Sequence, residues 1–349
     1  MTPYSEYDNG FHFMIQHRLS PQGALTMIIR MSRVAATAAA LAVLAGTVSC
    51  GAQQDGPGQE GSAQDSGGDK VQVVASTNVW AGVVQAVGGD AVEITTIMDD
   101  PGADPHSYEA SPADAADVAR ADLVVFNGGG YDEFMDQFLT QAGNKPTVEA
   151  VALAKEEPHA TEEPGGGAEP GHAHGAGANE HVWYDLPLVA AVAEQVAEKL
   201  SALAPAQADR FTAAATTFGD GIDDLNAKVS GIADRHAGAK VVMTEPVAFY
   251  LVAAAKLDDL TPPQFTEAVE EETDPPAAAI SATRELVTKQ QVQVLIYNPQ
   301  TETPVISQLR DTAESAALPT VTMTETIPAG TTYLNWMSGQ IDALSAALG

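Results

Sequence analysis

Four short segments carry side chains that could do chemistry together: Asp104-Pro105-His106-Ser107-Tyr108-Glu109, Asn179-Glu180-His181-Val182-Trp183, Met243-Thr244-Glu245-Pro246 and Thr324-Glu325-Thr326. Each places an imidazole or a carboxylate at, or beside, the end of an expected strand. Two imidazoles and two carboxylates are hard or borderline donors, which suit Zn2+ or Mn2+ and disfavour Cu+, an ion that prefers thiolates and thioethers. His106, His181, Glu245 and Glu325 are therefore expected to enclose one divalent cation. Asn298, in Tyr297-Asn298-Pro299-Gln300, stands at another strand end and is expected to orient a ligand rather than to be one. Taken singly, each residue has a plainer reading: a loop histidine is more often a surface or hydrogen-bonding group, and a glutamate at such a place often caps a helix or faces solvent. The composite carries the expectation. His236, beside Arg235 at the end of a long helical run, reads as a cation near a helix C-terminus.

The elements that must position these groups alternate. Val71–Thr77 is a compact β-rich run, and Asn78 opens a helix that ends near Gly88-Gly89. Residues 91–98 read as a second strand, and Ser111-Pro112-Ala113-Asp114 is a helix start with an N-cap serine, a proline at the first helical position and an acid at the third. A strand over 121–127, a helix over 131–141 and a fourth strand over 147–152 close this half, with His181 expected to follow that strand. Gly128-Gly129-Gly130 lacks the spacing or the Lys-Ser/Thr partner of a phosphate cradle. Residues 186–203 and 206–233 are helical in period, and the second run is long enough to act as a spar between halves. The pattern then resumes with strands over 240–244, 292–297 and 320–324, an extended stretch over 260–268 around Pro262-Pro263, and helices over 247–255, 277–290, 305–317 and 333–348. The expected fold is α/β: two similar lobes, each a mainly parallel sheet flanked by helices, joined by one long rigid helix. In such sheets ligands lie outside the carboxyl ends of the strands, where all four candidate ligands are expected.

The 349 residues suffice for two ordinary domains with real cores. Sixteen basic against 47 acidic residues give a formal charge of -31, which argues against nucleic acid and anionic membrane surfaces as ligands. A cation is the more natural guest. The lone cysteine, Cys50, excludes an internal disulfide framework and a cysteine-based zinc site. Arg30 and Arg33 precede an apolar run over 34–48 that is too short to span a bilayer, as in a secretory signal. Gly46-Thr47-Val48-Ser49-Cys50 resembles a bacterial lipobox, with Thr47 departing from the usual Leu, so Cys50 is the expected lipidation site.

The expected organisation is residues 1–30 as an extension or misassigned start, 31–50 as the signal, 51–70 as a flexible tether without apolar period, 71–203 as the first lobe, 204–238 as the linking helix and 239–349 as the second lobe. Within the first lobe, 155–180 is a low-complexity insertion whose His159, His172 and His174 are expected to bind ions weakly.

His106 and His181 in their motifs, the His-rich insertion between them and the Tyr333-Leu334-Asn335-Trp336-Met337 ending together resemble the solute-binding lipoproteins of bacterial ABC importers for zinc and manganese (the cluster A-I family). The resemblance runs from about Val71 to the C-terminus. It implies two lobes joined by one long helix, little hinge motion and a four-ligand interlobe metal site. It also implies a partner permease in the membrane, a monomeric chain lipid-anchored to the outer face of the cytoplasmic membrane, and no catalytic activity. His106 and His181 match the family's first two ligands. Glu245 stands where zinc members commonly have His and manganese members Glu, and Glu325 where the family has Asp. The two carboxylates favour a harder ion, while the His-rich insertion resembles that of zinc importers. Zn2+ is the expected ion, with Mn2+ the alternative.

Two other functions compete with this reading, a secreted metallohydrolase using the same ions and a surface adhesin. A secreted metallohydrolase would need an open coordination position beside a general base, and no His-Glu-x-x-His motif occurs. A surface adhesin would use the same fold. Deleting residues 155–177 is expected to leave the main-site affinity nearly intact and to lower the number of weakly held ions, as counted by equilibrium dialysis.

Overall fold

In the computed structural model, residues 70–102, 108–154 and 179–349 are described. Val71–Thr77 (β1) is buried at every position but Gln72, the pattern of a strand covered on both faces. β2 (Val92–Met98) pairs with one side of it and β3 (Leu123–Phe126) with the other, and β4 (Thr147–Glu149) lies beyond β3. All three ladders are parallel, in the order β2-β1-β3-β4. The helices α1 (Asn78–Gly88), α2 (Pro112–Arg120) and α3 (Phe134–Ala142) lie between successive strands, and the short α4 (Ala150–Ala154) follows β4. Then come α5 (Leu186–Leu203) and the 29-residue α6 (Ala208–His236).

The second sheet repeats the first. β5 (Lys240–Met243), β6 (Asp258–Asp259), β7 (Val294–Tyr297) and β8 (Thr320–Thr322) are parallel in the order β6-β5-β7-β8. They are joined and covered by α7 (Phe249–Ala254), α8 (Pro263–Glu270), α9 (Ala277–Thr288), α10 (Pro304–Ser315) and α11 (Tyr333–Leu348).

Alternation along the strands divides the core. Val74 faces α2 and α3 with Val118, Met135 and Phe138, and Val242 faces α8 to α10 with Phe265, Val287 and Leu309. Val73, Ala75, Val241 and Met243 point the other way, into one apolar cluster shared by both lobes. The spine of that cluster is the buried stripe of α6: Phe211, Ala215, Phe218, Ile222, Leu225, Val229 and Ile232. At three- and four-residue spacing they form one helix face. Gly221 lets α11 approach α6, since a Cβ there would lie 2.5 Å from Leu334 Cδ1.

The expected helix start at Ser111 is present as a capping box. Ser111 Oγ accepts from Asp114 N–H at 3.4 Å and the Asp114 carboxylate accepts from Ser111 N–H at 2.7 Å.

Two local expectations are corrected. Residues 150–154 are helix rather than the end of β4; a short apolar alanine-rich run fits either state by pattern. Residues 263–270 are helix rather than extended, because Pro263 occupies the first helical turn, where its missing N–H costs nothing. His181 comes after β4 and α4 among the described residues, and precedes a single helical turn, Val182–Tyr184, that leads into α5.

Because both lobes share a core, denaturation followed by circular dichroism and by tryptophan fluorescence is expected to give coincident single transitions. Ile222→Ala should lower stability by about 3 kcal/mol without splitting them; separate transitions for the two lobes would contradict the shared core.

Candidate metal centre

The strand order of the second sheet reverses between β5 and β7, which opens a crevice outside their carboxyl ends. Glu245 lies two residues past β5, and Asn298 one past β7. Asn298 is fully buried; its Nδ2 donates to Glu245 Oε1 and, at 2.9 Å, to Glu325 Oε1. Its own position is fixed by its N–H on Thr244 Oγ1 (3.2 Å) and by Gln300 N–H on its Oδ1 (3.0 Å). Glu325 is held from its backbone as well, with its N–H on Gln300 Oε1 at 2.7 Å. Both carboxylates are buried, Glu245 to 1% and Glu325 to 0% exposure.

The first sheet reverses at the equivalent place, between β1 and β3. After β3 the chain turns through Gly128, Gly129 and Gly130, all at positive φ. Gly128 combines that conformation with tight packing, since a Cβ there would collide with the Glu149 carboxylate. The turn is closed by buried Asp132, which accepts from Asn127 N–H (2.7 Å) and Gly128 N–H (2.8 Å). Burial raises the Asp132 pKa, against the lowering effect of its bonds to Ser76, Asn127 and Gly128. The product of the turn is the position of Tyr131, whose hydroxyl donates to Glu325 Oε2 at 3.0 Å across the lobes. Burial, then the charge of Glu325, pushes the Tyr131 phenol well above its ordinary pKa, so the hydroxyl remains a donor.

His181 is fully buried. Asn179 Oδ1 accepts from the His181 N–H at 2.8 Å and lies 3.0 Å from Nδ1, while Asn179 Nδ2 donates to Pro246 O at 2.9 Å. The carboxamide oxygen is an acceptor only, so Nδ1 carries the proton and Nε2 is the atom offered to the cleft, an assignment made from this network. Nε2 lies 3.5 Å from Glu270 Oε1 and 3.9 Å from Glu325 Oε2. Ligand atoms of Glu180, His181 and Glu270 all lie within 4.8 Å of one another. The ring packs edge-on against Trp183, with centroids 5.1 Å apart.

The loop after β8 ties the lobes together around this point. Asn78, at the start of α1, donates to Ile327 O (3.0 Å) and accepts from Ile327 N–H (2.9 Å). Thr326 Oγ1 donates to Pro101 O at 2.9 Å, and Tyr184 OH reaches Thr324 O at 2.8 Å. Tyr250 OH donates to Asn179 O at 2.6 Å from the other side.

Of the expected site residues, His181, Glu245, Glu325 and Asn298 converge on one cleft. His106, His159, His172, His174 and Cys50 lie outside the described residues. The flanks of the His106 segment are placed: Pro101 binds the loop after β8, and Tyr108 OH donates to Asp114 at 2.9 Å. Asn179, Tyr131 and Glu270 were not singled out in the sequence. Asn179 stands two residues before His181, a spacing that could have drawn notice, whereas Glu270 sits in an acidic run with nothing to mark it.

Residues 73–347 match the profile of a family described as zinc-uptake complex component A, periplasmic. Among curated relatives, the manganese-binding lipoprotein MntA of Bacillus subtilis is 30% identical over 165 residues, 47% of this chain and 51% of that protein. The chain thus spans about half the length of that relative. Among solved structures, the periplasmic zinc-binding protein TroA of Treponema pallidum superposes with a TM-score of 0.65 at 21% identity, covering 80% of this chain and 99% of the other. The laminin-binding protein Lmb of Streptococcus agalactiae, described as bifunctional with adhesin and metal-transporting activity, gives 0.64 at 20% identity, covering 80% and 100%. At these identities the structures show a shared fold.

Asn298→Ala removes a donor shared by both buried carboxylates. Isothermal titration with a divalent metal ion is expected to show affinity lower by about 10- to 100-fold, the usual effect of losing a group that orients ligands.

Proposed function

We propose that this chain, which belongs to the family of periplasmic zinc-uptake complex components A, captures one divalent transition-metal ion between its lobes outside the cytoplasm and hands it to an ABC permease in the membrane. The observation that carries this reading is the convergence of His181, Glu245 and Glu325, from both lobes, on one buried cleft in which Asn179, Asn298 and Tyr131 fix their orientation. His106 is the fourth ligand in this reading, supported by the ties of Pro101 and Tyr108 on either side of its segment. Lipid on Cys50 and the tether after it would hold the chain at the outer face of the membrane. His159, His172 and His174 would collect ions weakly beside the main site.

The ion is Zn2+ in this reading, for which two imidazoles and two carboxylates make a closed four-coordinate shell. Mn2+ is a second reading with its own support: Glu270 adds a further carboxylate 3.5 Å from His181 Nε2, and the MntA relative is named as manganese-binding. The metallohydrolase alternative is set aside, since the family consists of substrate-binding proteins of metal ABC transporters and not of enzymes. Adhesion, described for Lmb, would be an additional role on the same fold.

Elemental analysis of protein purified without added metal, followed by a Zn2+/Mn2+ competition titration, tests the reading. One tightly held ion per chain is expected, and replacing both His106 and His181 with Ala should abolish it. Stoichiometric binding retained by that double variant would sink the assignment, and preferential retention of Mn2+ by the parent chain would select the second reading.

A further inference from the structure

Glu270 is the last residue of α8. Phe265 and Val269 anchor that helix in the core on the far side of the second sheet, so its end cannot drift far from the cleft. From there the Glu270 carboxylate reaches to 3.5 Å from His181 Nε2, the ring atom that Asn179 turns into the site. Its side chain is 19% exposed, whereas those of His181 and Glu325 are at 0%. Glu270 is therefore less buried than the other groups as a side chain, while its Oε2 is itself shielded from solvent.

We propose that Glu270 is a fifth donor to the interlobe ion and sets the balance between Mn2+ and Zn2+. This deepens the proposed function and rests on it. Zn2+ in a binding site is satisfied by four donors in a tetrahedron, and a further carboxylate adds little to it. Mn2+ takes a larger, oxygen-rich shell, so a third carboxylate adds a bond that the smaller set cannot supply. At any site of nitrogen and oxygen donors, intrinsic affinity still runs higher for Zn2+ than for Mn2+. Glu270 thus narrows the gap between the two ions rather than reversing it.

The test is a titration of the full chain with Zn2+ and with Mn2+, in the parent and in Glu270→Gln, Glu270→Asp and Glu271→Gln. Glu271 is exposed and next in sequence, so its replacement makes the same change in net charge outside the cluster. Glu270→Gln is expected to raise the Kd for Mn2+ by about tenfold or more and that for Zn2+ by less than about threefold, in the range set by losing one metal-linked group. Glu271→Gln should change neither, and Glu270→Asp, which keeps a carboxylate, should recover part of the Mn2+ affinity. Equal weakening of both ions in Glu270→Gln, or no change in either, would overturn the inference and leave the proposed function standing. A parent chain that binds neither ion would overturn the proposed function itself.

Discussion

The carboxylates of Glu245 and Glu325 lie side by side on the Nδ2 group of Asn298, both removed from water. In their ionised forms two carboxylates this close repel, and burial makes the repulsion stronger than it would be at a surface. A divalent cation between them turns that cost into attraction. Much else in the structure serves to keep the pair in place. Thr244 and Gln300 hold Asn298, Gln300 holds the backbone of Glu325, and Tyr131 reaches from the other lobe to the second oxygen of Glu325. Even the triple-glycine turn and buried Asp132 are explained by this arrangement, since together they deliver the Tyr131 hydroxyl.

The same constraint accounts for how the lobes are joined. A site whose donors come from two lobes keeps its geometry only if the lobes keep theirs. The stripe of α6 and the apolar faces of both sheets form one cluster, so a wide opening would expose core residues to water at a cost that grows with the area uncovered. The loop after β8 adds directional ties at Asn78, Pro101 and Tyr184.

Much of this was legible in the residues. The alternation of βα units gave the two parallel sheets, and Ser111-Pro112-Ala113-Asp114 marked a real capping box. His106, His181, Glu245 and Glu325 were expected together, with Asn298 orienting one of them, because parallel sheets offer their strand ends to ligands; the described residues bring His181, Glu245, Glu325 and Asn298 near one another, and His106 lies outside them. The misses have physical causes. Pro262-Pro263 reads as a breaker, yet the second proline sits in the first turn of α8; with that helix unseen, nothing could bring Glu270 to the cleft. Tyr131 acts through a contact across a long sequence distance, 194 residues to Glu325. No local pattern encodes such a contact. His181, expected after the fourth strand, leads into a helical turn, and Asn179 and Trp183 orient its ring.

Anomalous diffraction from crystals of the metal-loaded protein, recorded on both sides of the metal absorption edge, tests the central claim most directly. The account predicts one strong peak in the cleft bounded by His181, Glu245 and Glu325. A protein that binds the ion stoichiometrically but shows its peak elsewhere, with that cleft empty, would contradict it.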